Sequence, residues 1–196
     1  MGVTIRPTSI DRELARIIAA HTTPAAERIA GDFTWGADEH VLIALAIAYW
    51  LWSLNKSPAQ RTGGTHVLAT TLASAVLPHL MKGMFDQERP DRLTVRGHLH
   101  GVPFSGKKMD AFPSGHAIHV GALCSAASVL SSRWRNLVWA TGAMLVTTRV
   151  VLLAHWFSDV VCGVAIGAGL ERLIRRFTGY GKASSYASRS ATAAAE

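Results

Sequence analysis

The chain has 196 residues, of which 49% are apolar and only 17% are charged, against roughly 25% charged residues in soluble domains. The mean hydropathy of +0.21 excludes a disordered or fibrous protein, and the length allows about one domain. The net charge of +7 indicates anionic partners such as lipid headgroups or phosphate, or only the one-sided excess of Lys and Arg typical of membrane proteins. Nucleic acid is not expected as a partner, because the apolar segments leave little room for a soluble basic face.

Residues 8–22 have the pattern of an amphipathic helix. Thr8 and Asp11 form a capping pair at its start, and Pro24 interrupts the pattern after its end. Crossing a bilayer would bury several charges at about 2.5–3.5 kcal/mol each, so we expect this helix to lie in the membrane interface, within an N-terminal segment 1–37. Its apolar stripe consists of Ile10, Leu14, Ile17 and Ile18.

Five apolar segments follow, and long stretches of them contain no charged residue. A membrane-spanning helix needs about 20 mostly apolar residues. Because the backbone must satisfy its own hydrogen bonds in lipid, we predict an all-α, polytopic membrane helical bundle over residues 38–178. The tail 179–196, rich in Ala and Ser, is expected to be disordered. The predicted spans are roughly 38–54, 64–82, 115–132, 135–153 and 159–176.

The five spans also arrange the loops between them. Alternating crossings put the long loop 83–112 and the short loop 154–158 on the same membrane face. The opposite face carries more Lys and Arg once the N-terminal segment and the residues expected to bind phosphate are set aside, which places it in the cytoplasm. We therefore expect an integral protein of a bacterial-type inner membrane, with both of these loops facing outward.

Three clusters of polar and ionisable residues fall at this predicted outward face. Each alone has an ordinary explanation: charges at a span end, a turn with an N-cap, or an intramembrane salt bridge. Their occurrence together favours a functional site, since a charge inside a membrane, such as Arg149, is costly. The clusters contain, in order, Lys82 and Arg89, then Ser114, Gly115 and His116, then Arg149, His155 and Asp159.

These residue types suit phosphoryl transfer. A transferring phosphoryl group spreads negative charge over its oxygens, so catalysis depends on positioning and charge stabilisation. Lys82, Arg89 and Arg149 would supply fixed positive charges, and arginine adds a planar fork that matches phosphate oxygens. Ser114 and Gly115 open a predicted helix, whose free N–H groups favour an anion.

Two histidines divide the remaining chemistry. Asp159 follows His155 by four residues, so its carboxylate is expected to hydrogen-bond one ring nitrogen while the other attacks phosphorus. His116 would protonate the leaving oxygen and then activate water. His119, one turn further along, is expected to be only a packed neighbour.

The sequence resembles the type 2 phosphatidic acid phosphatase superfamily, whose signature is K-x6-RP, then PSGH, then SR-x5-H-x3-D. The match extends from Lys82 to Asp159 and departs at one position, where Thr148 replaces the usual serine. The resemblance implies His155 as nucleophile, His116 as acid and base and Asp159 as the residue that orients His155. It also implies no metal and no other cofactor.

The expected function is hydrolysis of a lipid phosphate or diphosphate by a membrane phosphatase, through a phosphohistidine intermediate. Phosphatidate, phosphatidylglycerophosphate, polyprenyl diphosphate and lipid A phosphates all remain open as substrates. The alternatives are a non-enzymatic lipid-phosphate binder or transporter and, less favoured by five apolar spans, a vanadate-dependent haloperoxidase. Four loop cations would either recognise a second phosphate or only solvate the loop: Arg92, Arg96, Lys107 and Lys108.

Overall fold

The protein, described here from a computed structural model, is mostly helical over the residues that the structure describes, 2–90 and 109–181. The predicted amphipathic helix and the five apolar segments each correspond to a helix, and a second N-terminal helix was not predicted. The elements in chain order are β1 (Val3–Thr4), α1 (Ser9–His21), α2 (Pro24–Thr34), a 3-10 turn (Trp35–Ala37), α3 (Glu39–Ser53), α4 (Pro58–Lys82), β2 (Phe85–Asp86), α5 (Gly115–Ala126), a second 3-10 turn (Ala127–Val129), α6 (Ser132–Val151) and α7 (Phe157–Thr178).

Local sequence signals account for several helix ends. The predicted capping pair is confirmed, because the Thr8 side chain accepts from the backbone N–H of Asp11 and the Asp11 carboxylate accepts from that of Thr8. Ser57 and Gln60 form the same arrangement at the start of α4. Helix α7 ends at Gly179, whose φ of 70° lies in the left-handed region that glycine adopts without steric cost.

Helix α5 is largely buried and packs most extensively against α7. Glycine makes this approach possible, since a Cβ on Gly121 or Gly167 would collide with the backbone of Val164 or Ile118 across the interface. The first turn of α5 is thereby held close to the start of α7, which brings the second and third predicted clusters together.

The N-terminal helix α1 packs on the protein with the face that carries Asp11 and Ala15. Asp11 and Ala15 are buried. Of the predicted apolar stripe, Leu14 and Ile18 are half-buried, whereas Ile10 and Ile17 are exposed. The reason is a specific polar contact: the Asp11 carboxylate accepts hydrogen bonds from the backbone N–H and the hydroxyl of Ser158, at 2.9 and 2.8 Å. This contact fixes α1 to the start of α7.

A short parallel strand pair was absent from the all-α prediction. Val3 pairs with Phe85 and Thr4 with Asp86. Because β2 follows directly after α4, this pairing attaches the N-terminus of the chain next to the first predicted cluster.

No helix of the described residues combines the length and the apolar character that a membrane-spanning helix needs. Helix α3 has 15 residues and α5 has 12, while the 25-residue helix α4 contains several buried polar side chains. The predicted count of five spans is therefore not confirmed. The four loop cations and residues 182–196 of the predicted disordered tail lie outside the described residues.

Candidate active site

The three predicted clusters meet at one cavity of about 220 Å³. Six of the eight predicted site residues line it, whereas Ser114 and Asp159 are not part of the lining. The complete lining is Asp38, Glu39, Pro78, His79, Lys82, Arg89, Gly115, His116, His119, Arg149 and His155.

Two of the cations are held by a carboxylate that sequence reasoning missed. Asp110 Oδ1 lies 2.9 Å from Arg89 Nε, and its Oδ2 lies 3.6 Å from Lys82 Nζ. Burial raises the pKa of Asp110, but the hydrogen bond and charge of Arg89, together with Lys82, outweigh burial and hold that pKa below its ordinary value. Asp110 is ionised at neutral pH and fixes Lys82 and Arg89 side by side.

Asp110 reaches this place through a backbone contact. The N–H of Gln87 donates to the carbonyl of Met109, and the N–H of Ala111 donates to the carbonyl of Gln87, at 3.2 and 3.0 Å. No local sequence signal could have identified Asp110, because the contact joins two segments more than twenty residues apart.

Arg149, in the last turn of α6, is buried and has no ion-pair partner among residues 2–90 and 109–181. It is 6% exposed, and Nη1 donates to the Thr34 hydroxyl at 3.0 Å. Within the same described ranges its Nε has no hydrogen-bond partner. An unpaired buried charge costs several kcal/mol, and an anion bound beside this guanidinium would reduce that cost.

The turn after α6 explains why Arg149 and His155 occur six residues apart. The backbone N–H groups of Ala154 and His155 both donate to the Arg149 carbonyl, at 3.1 and 3.3 Å. Leu153 adopts φ 52°, an unusual conformation for a residue with a Cβ. The chain therefore folds back tightly and presents both side chains to the same cavity.

His155 has one ring nitrogen committed to the protein. Its Nδ1 donates to the Ala111 carbonyl at 2.6 Å, and because a carbonyl only accepts, Nε2 carries the lone pair. Burial lowers the pKa of His155 well below its ordinary value, and the charges of Arg149, Arg89 and Lys82 lower it further. The imidazole is therefore neutral at physiological pH and can act as a nucleophile.

Asp159 does not form the predicted hydrogen bond with His155 among the described residues. Its carboxylate instead accepts from the backbone N–H of Trp156 at 2.9 Å. With the Gln87 amide oriented so that its nitrogen donates, that nitrogen lies 2.7 Å from Asp159 Oδ1. Asp159 therefore caps the start of α7, directly after the turn that carries His155.

The start of α5 supplies the second cluster. Ser114 precedes the helix, yet its hydroxyl makes no capping bond and is buried with no partner in the described ranges. His116, in the first turn, has no hydrogen-bond partner among the described residues. Both groups are thus available for a ligand or water at the helix N-terminus.

Five more residues of the lining were not predicted to act: Asp38, Glu39, Pro78, His79 and His119. Asp38 and Glu39 stand at the start of α3, where sequence reasoning gave them no role. His119 is 1% exposed, as a packed residue would be, but neither ring nitrogen has a partner among residues 2–90 and 109–181. No group of three or more His, Cys, Asp and Glu side chains in the described ranges is arranged to hold a metal ion.

A cavity lined by helix ends, three cations and four histidines suits phosphoryl transfer, because fixed positive charges can stabilise the phosphoryl oxygens. Residues 63–182 match the PAP2 superfamily. The chain belongs to this superfamily and is a phosphatase, which confirms the resemblance seen in the sequence motifs.

Curated relatives and solved structures agree with this assignment. The lipid A 1-phosphatase of Rhizobium etli is 33% identical over 170 residues, which cover 80% of this chain and 73% of the relative. The lipid A 1-phosphatase of Rhizobium johnstonii is 38% identical over 150 residues, which cover 73% of this chain and 62% of the relative.

Two crystal structures share the fold. That of Aquifex aeolicus LpxE has a TM-score of 0.67 and 17% identity, and it covers 89% of this chain and 99% of its own. That of a transmembrane PAP2-type phosphatidylglycerolphosphate phosphatase from Bacillus subtilis has a TM-score of 0.62 and 18% identity, with coverages of 86% and 84%.

Proposed function

We propose that this protein is an integral-membrane lipid phosphatase that works through a phosphohistidine intermediate on His155. The observation that carries the proposal is the combination of a neutral imidazole and the unpaired, buried Arg149 at one cavity. A phosphate group would supply the missing negative charge, and its phosphorus would meet the free Nε2.

The first half of the reaction forms a nitrogen–phosphorus bond. His155 Nε2 attacks phosphorus, and the bond between phosphorus and the lipid oxygen breaks. His116 donates its proton to that oxygen, so the lipid leaves as an alcohol. The positive charge that develops on the His155 ring is stabilised at Nδ1 by the Ala111 carbonyl.

The second half restores the enzyme. His116, now neutral, takes a proton from water, and the resulting hydroxide attacks phosphorus. The nitrogen–phosphorus bond breaks, inorganic phosphate leaves, and His155 regains its lone pair. Lys82, Arg89 and Arg149 stabilise the phosphate oxygens throughout, with Asp110 positioning the first two.

Ser114 and Gly115 would complete the phosphate site. The partnerless Ser114 hydroxyl would donate to a phosphate oxygen, and so would the free N–H groups of the first turn of α5. Asp159 would contribute through the conformation of the turn that holds His155, and not by direct contact with the ring.

The substrate that the relatives favour is a glycolipid phosphate of the lipid A type. Both curated relatives are named lipid A 1-phosphatases, at 33% and 38% identity. We therefore place a sugar 1-phosphate lipid first among the substrates to be tested, ahead of phosphatidate, phosphatidylglycerophosphate and polyprenyl diphosphate.

Membrane insertion is supported by the apolar side chains that the helices expose. Contiguous exposed apolar surface marks contact with lipid or with a partner. We propose that the bundle of α3 to α7 is embedded in an inner membrane with the catalytic cavity facing outward. The exposed side chains include Leu45 at 61%, Val76 at 57%, Leu80 at 63%, Leu137 at 53% and Phe177 at 82%.

The test is phosphate release by the purified protein in detergent, from a diacylated glucosamine 1-phosphate, with and without EDTA. We expect release in both conditions, and none from His155→Ala. When the phosphate of the substrate is labelled and the reaction is stopped with alkali, the wild-type protein should retain label bound to histidine. Release that EDTA abolishes, or equal release from His155→Ala, would contradict the mechanism.

Orientation is tested separately. Ser57→Cys, placed in a protein that carries Cys124→Ala and Cys162→Ala, puts the thiol to be labelled between α3 and α4, on the proposed cytoplasmic side. We expect a membrane-impermeant thiol reagent to label it only after the inner membrane is opened. Labelling of intact spheroplasts would reverse the proposed orientation.

A further inference from the structure

The catalytic cavity contains two carboxylates that cannot serve phosphate binding. Asp38 and Glu39 line it together with three cations and two catalytic histidines. A carboxylate repels a phosphate group, so these two side chains weaken binding of the phosphate itself. Their presence needs another explanation.

Helix capping explains only part of this arrangement. Asp38 Oδ1 accepts from the backbone N–H groups of His40 and Val41, at 3.0 and 3.3 Å, which holds the carboxylate at the cavity. Oδ2 accepts no hydrogen bond within residues 2–90 and 109–181. Glu39 has neither a hydrogen bond nor an ion pair with any described residue.

A buried histidine lies on the same cavity. His119 is 1% exposed, and neither Nδ1 nor Nε2 has a hydrogen-bond partner in the part of the chain that the structure describes. Burying such a polar group without a partner costs free energy unless a ligand or water satisfies it. Asp38 and His119 line the same cavity of about 220 Å³, together with His116.

We propose that Asp38, Glu39 and His119 form a headgroup subsite that hydrogen-bonds the O–H or N–H groups of a sugar attached to the phosphate. The proposal rests on the lipid phosphatase function proposed above and assigns the residues that select among its substrates. Two carboxylates accept hydrogen bonds from donors, and a neutral imidazole can both donate and accept. A sugar phosphate offers several such donors, whereas the fully esterified glycerol of phosphatidate offers none.

Two explanations of the carboxylates predict opposite effects of their substitution on ligand binding, and this makes the subsite testable. Asp38→Asn keeps the N-cap, because asparagine caps helices as well as aspartate does, and Glu39→Gln keeps the shape of the side chain. If the carboxylates only offset the cations, either change would strengthen binding of every phosphate. If the carboxylates bind a sugar, either change weakens binding of the sugar lipid alone.

The experiment compares a diacylated glucosamine 1-phosphate with phosphatidate of the same chain length. For the sugar lipid we expect Asp38→Asn and Glu39→Gln each to lower kcat/KM by about 10- to 100-fold, mainly by raising KM. This fold-change corresponds to the loss of one charge-assisted hydrogen bond. For phosphatidate we expect kcat/KM to rise a few-fold. Asp32→Asn is the matched control, since it removes the same charge from an exposed position of α2 outside the cavity.

His119 is tested by a pair of variants. His119→Phe keeps a ring and removes both nitrogens, and it should lower kcat/KM for the sugar lipid selectively. His119→Gln retains a polar group and should restore part of that loss. Dissociation constants of both lipids, measured in the His155→Ala background, give a second readout that does not depend on turnover.

The outcomes separate this proposal from the function beneath it. A wild type that releases phosphate from both lipids, with variants that affect both equally or neither, overturns the headgroup subsite and leaves the phosphatase intact. A wild type that neither hydrolyses nor binds either lipid overturns the proposed function, and the subsite with it.

Discussion

Two groups of polar residues differ in how completely their members are paired. The first is the proposed catalytic cluster of Lys82, Arg89, His116, Arg149 and His155. Asp110 pairs with Lys82 and Arg89, but within the described part of the chain Arg149 has no carboxylate partner and His116 has no hydrogen bond. Such a cluster is incomplete without a ligand.

The second group, the paired cluster, joins α4, α5 and α7 and contains His66, Ser125, Glu171, Arg175 and Thr178. Its centre is Glu171, which is 0% exposed and accepts from His66 Nε2 at 2.9 Å, from Arg175 Nε at 2.7 Å and from the Ser125 hydroxyl. The His66 Nδ1 is satisfied by the Thr178 hydroxyl at 2.9 Å.

The difference between the clusters distinguishes function from structural support. Buried charges that satisfy one another hold helices together, whereas buried charges left unsatisfied raise the free energy of the empty protein and favour a ligand. Substitutions in the catalytic cluster should therefore lower activity, and substitutions in the paired cluster should lower stability.

The largest expected effect is that of His155→Ala on turnover. Removing a nucleophile should lower kcat/KM by at least about 10⁴-fold, while the free energy of unfolding falls by only about 1 kcal/mol for the lost bond to Ala111. His21→Ala is a suitable control, because His21 makes the same kind of bond to a backbone carbonyl, at 2.8 Å, away from the cavity. An active His155→Ala enzyme would contradict the assignment.

The second-largest decrease in kcat/KM is expected for Arg149→Ala. Loss of one preorganised charge at a phosphoryl-transfer site costs about 10²- to 10³-fold in kcat/KM. The free energy of unfolding should stay constant or rise, because an unpaired buried charge is removed. The exposed Arg172 provides the control Arg172→Ala, which should change neither quantity. Strong destabilisation by Arg149→Ala would mean that the guanidinium has a structural role instead.

Glu171→Gln should show the reverse pattern. It leaves Arg175 and His66 without their shared anion, and we expect the free energy of unfolding to fall by about 3 kcal/mol, with kcat of the folded fraction retained. Glu13→Gln is the control, because it breaks an ion pair with Arg16 in which the Glu13 side chain is 62% exposed. It should lower the free energy of unfolding by less than about 1 kcal/mol. Chemical denaturation followed by circular dichroism measures both, and a large loss of kcat without destabilisation would remove the distinction between the clusters.

The smallest expected effect concerns Asp11. Its carboxylate, like that of Glu171, is buried and accepts several hydrogen bonds. Burial raises the pKa of its carboxyl, but the hydrogen bonds from Ser158 and Thr8 outweigh burial and lower that pKa below its ordinary value. A group whose pKa is lower in the folded state stabilises the fold above the unfolded pKa of about 4, and this contribution disappears as pH falls through the folded value.

Asp11→Asn should therefore cost about 1–2 kcal/mol at neutral pH. The unfolding free energies of the wild type and the variant should converge as pH falls from about 7 to about 3. A difference that stays constant over this interval, or that grows towards low pH, would show that the charge of Asp11 does not hold α1 in place.

The sequence by itself determined most of the helical segments and six of the residues that line the cavity. Apolar segments and capping residues predicted the helices, because both act over a few neighbouring residues. The three motifs identified Lys82, Arg89, His116, Arg149 and His155, since the spacing of each motif matches a local turn or helix end. The same local reasoning also found the capping pair of α1.

Only the tertiary structure decided which partners these residues have. The i, i+4 spacing of His155 and Asp159 suggested a direct bond, but His155 precedes α7 and Asp159 caps that helix, so the ring bonds the Ala111 carbonyl instead. Asp110 and Asp38 come to the cavity from the segment before α5 and from the start of α3. Hydrogen bonds and charges act through space between segments far apart in the chain, and no local pattern records which segments will meet.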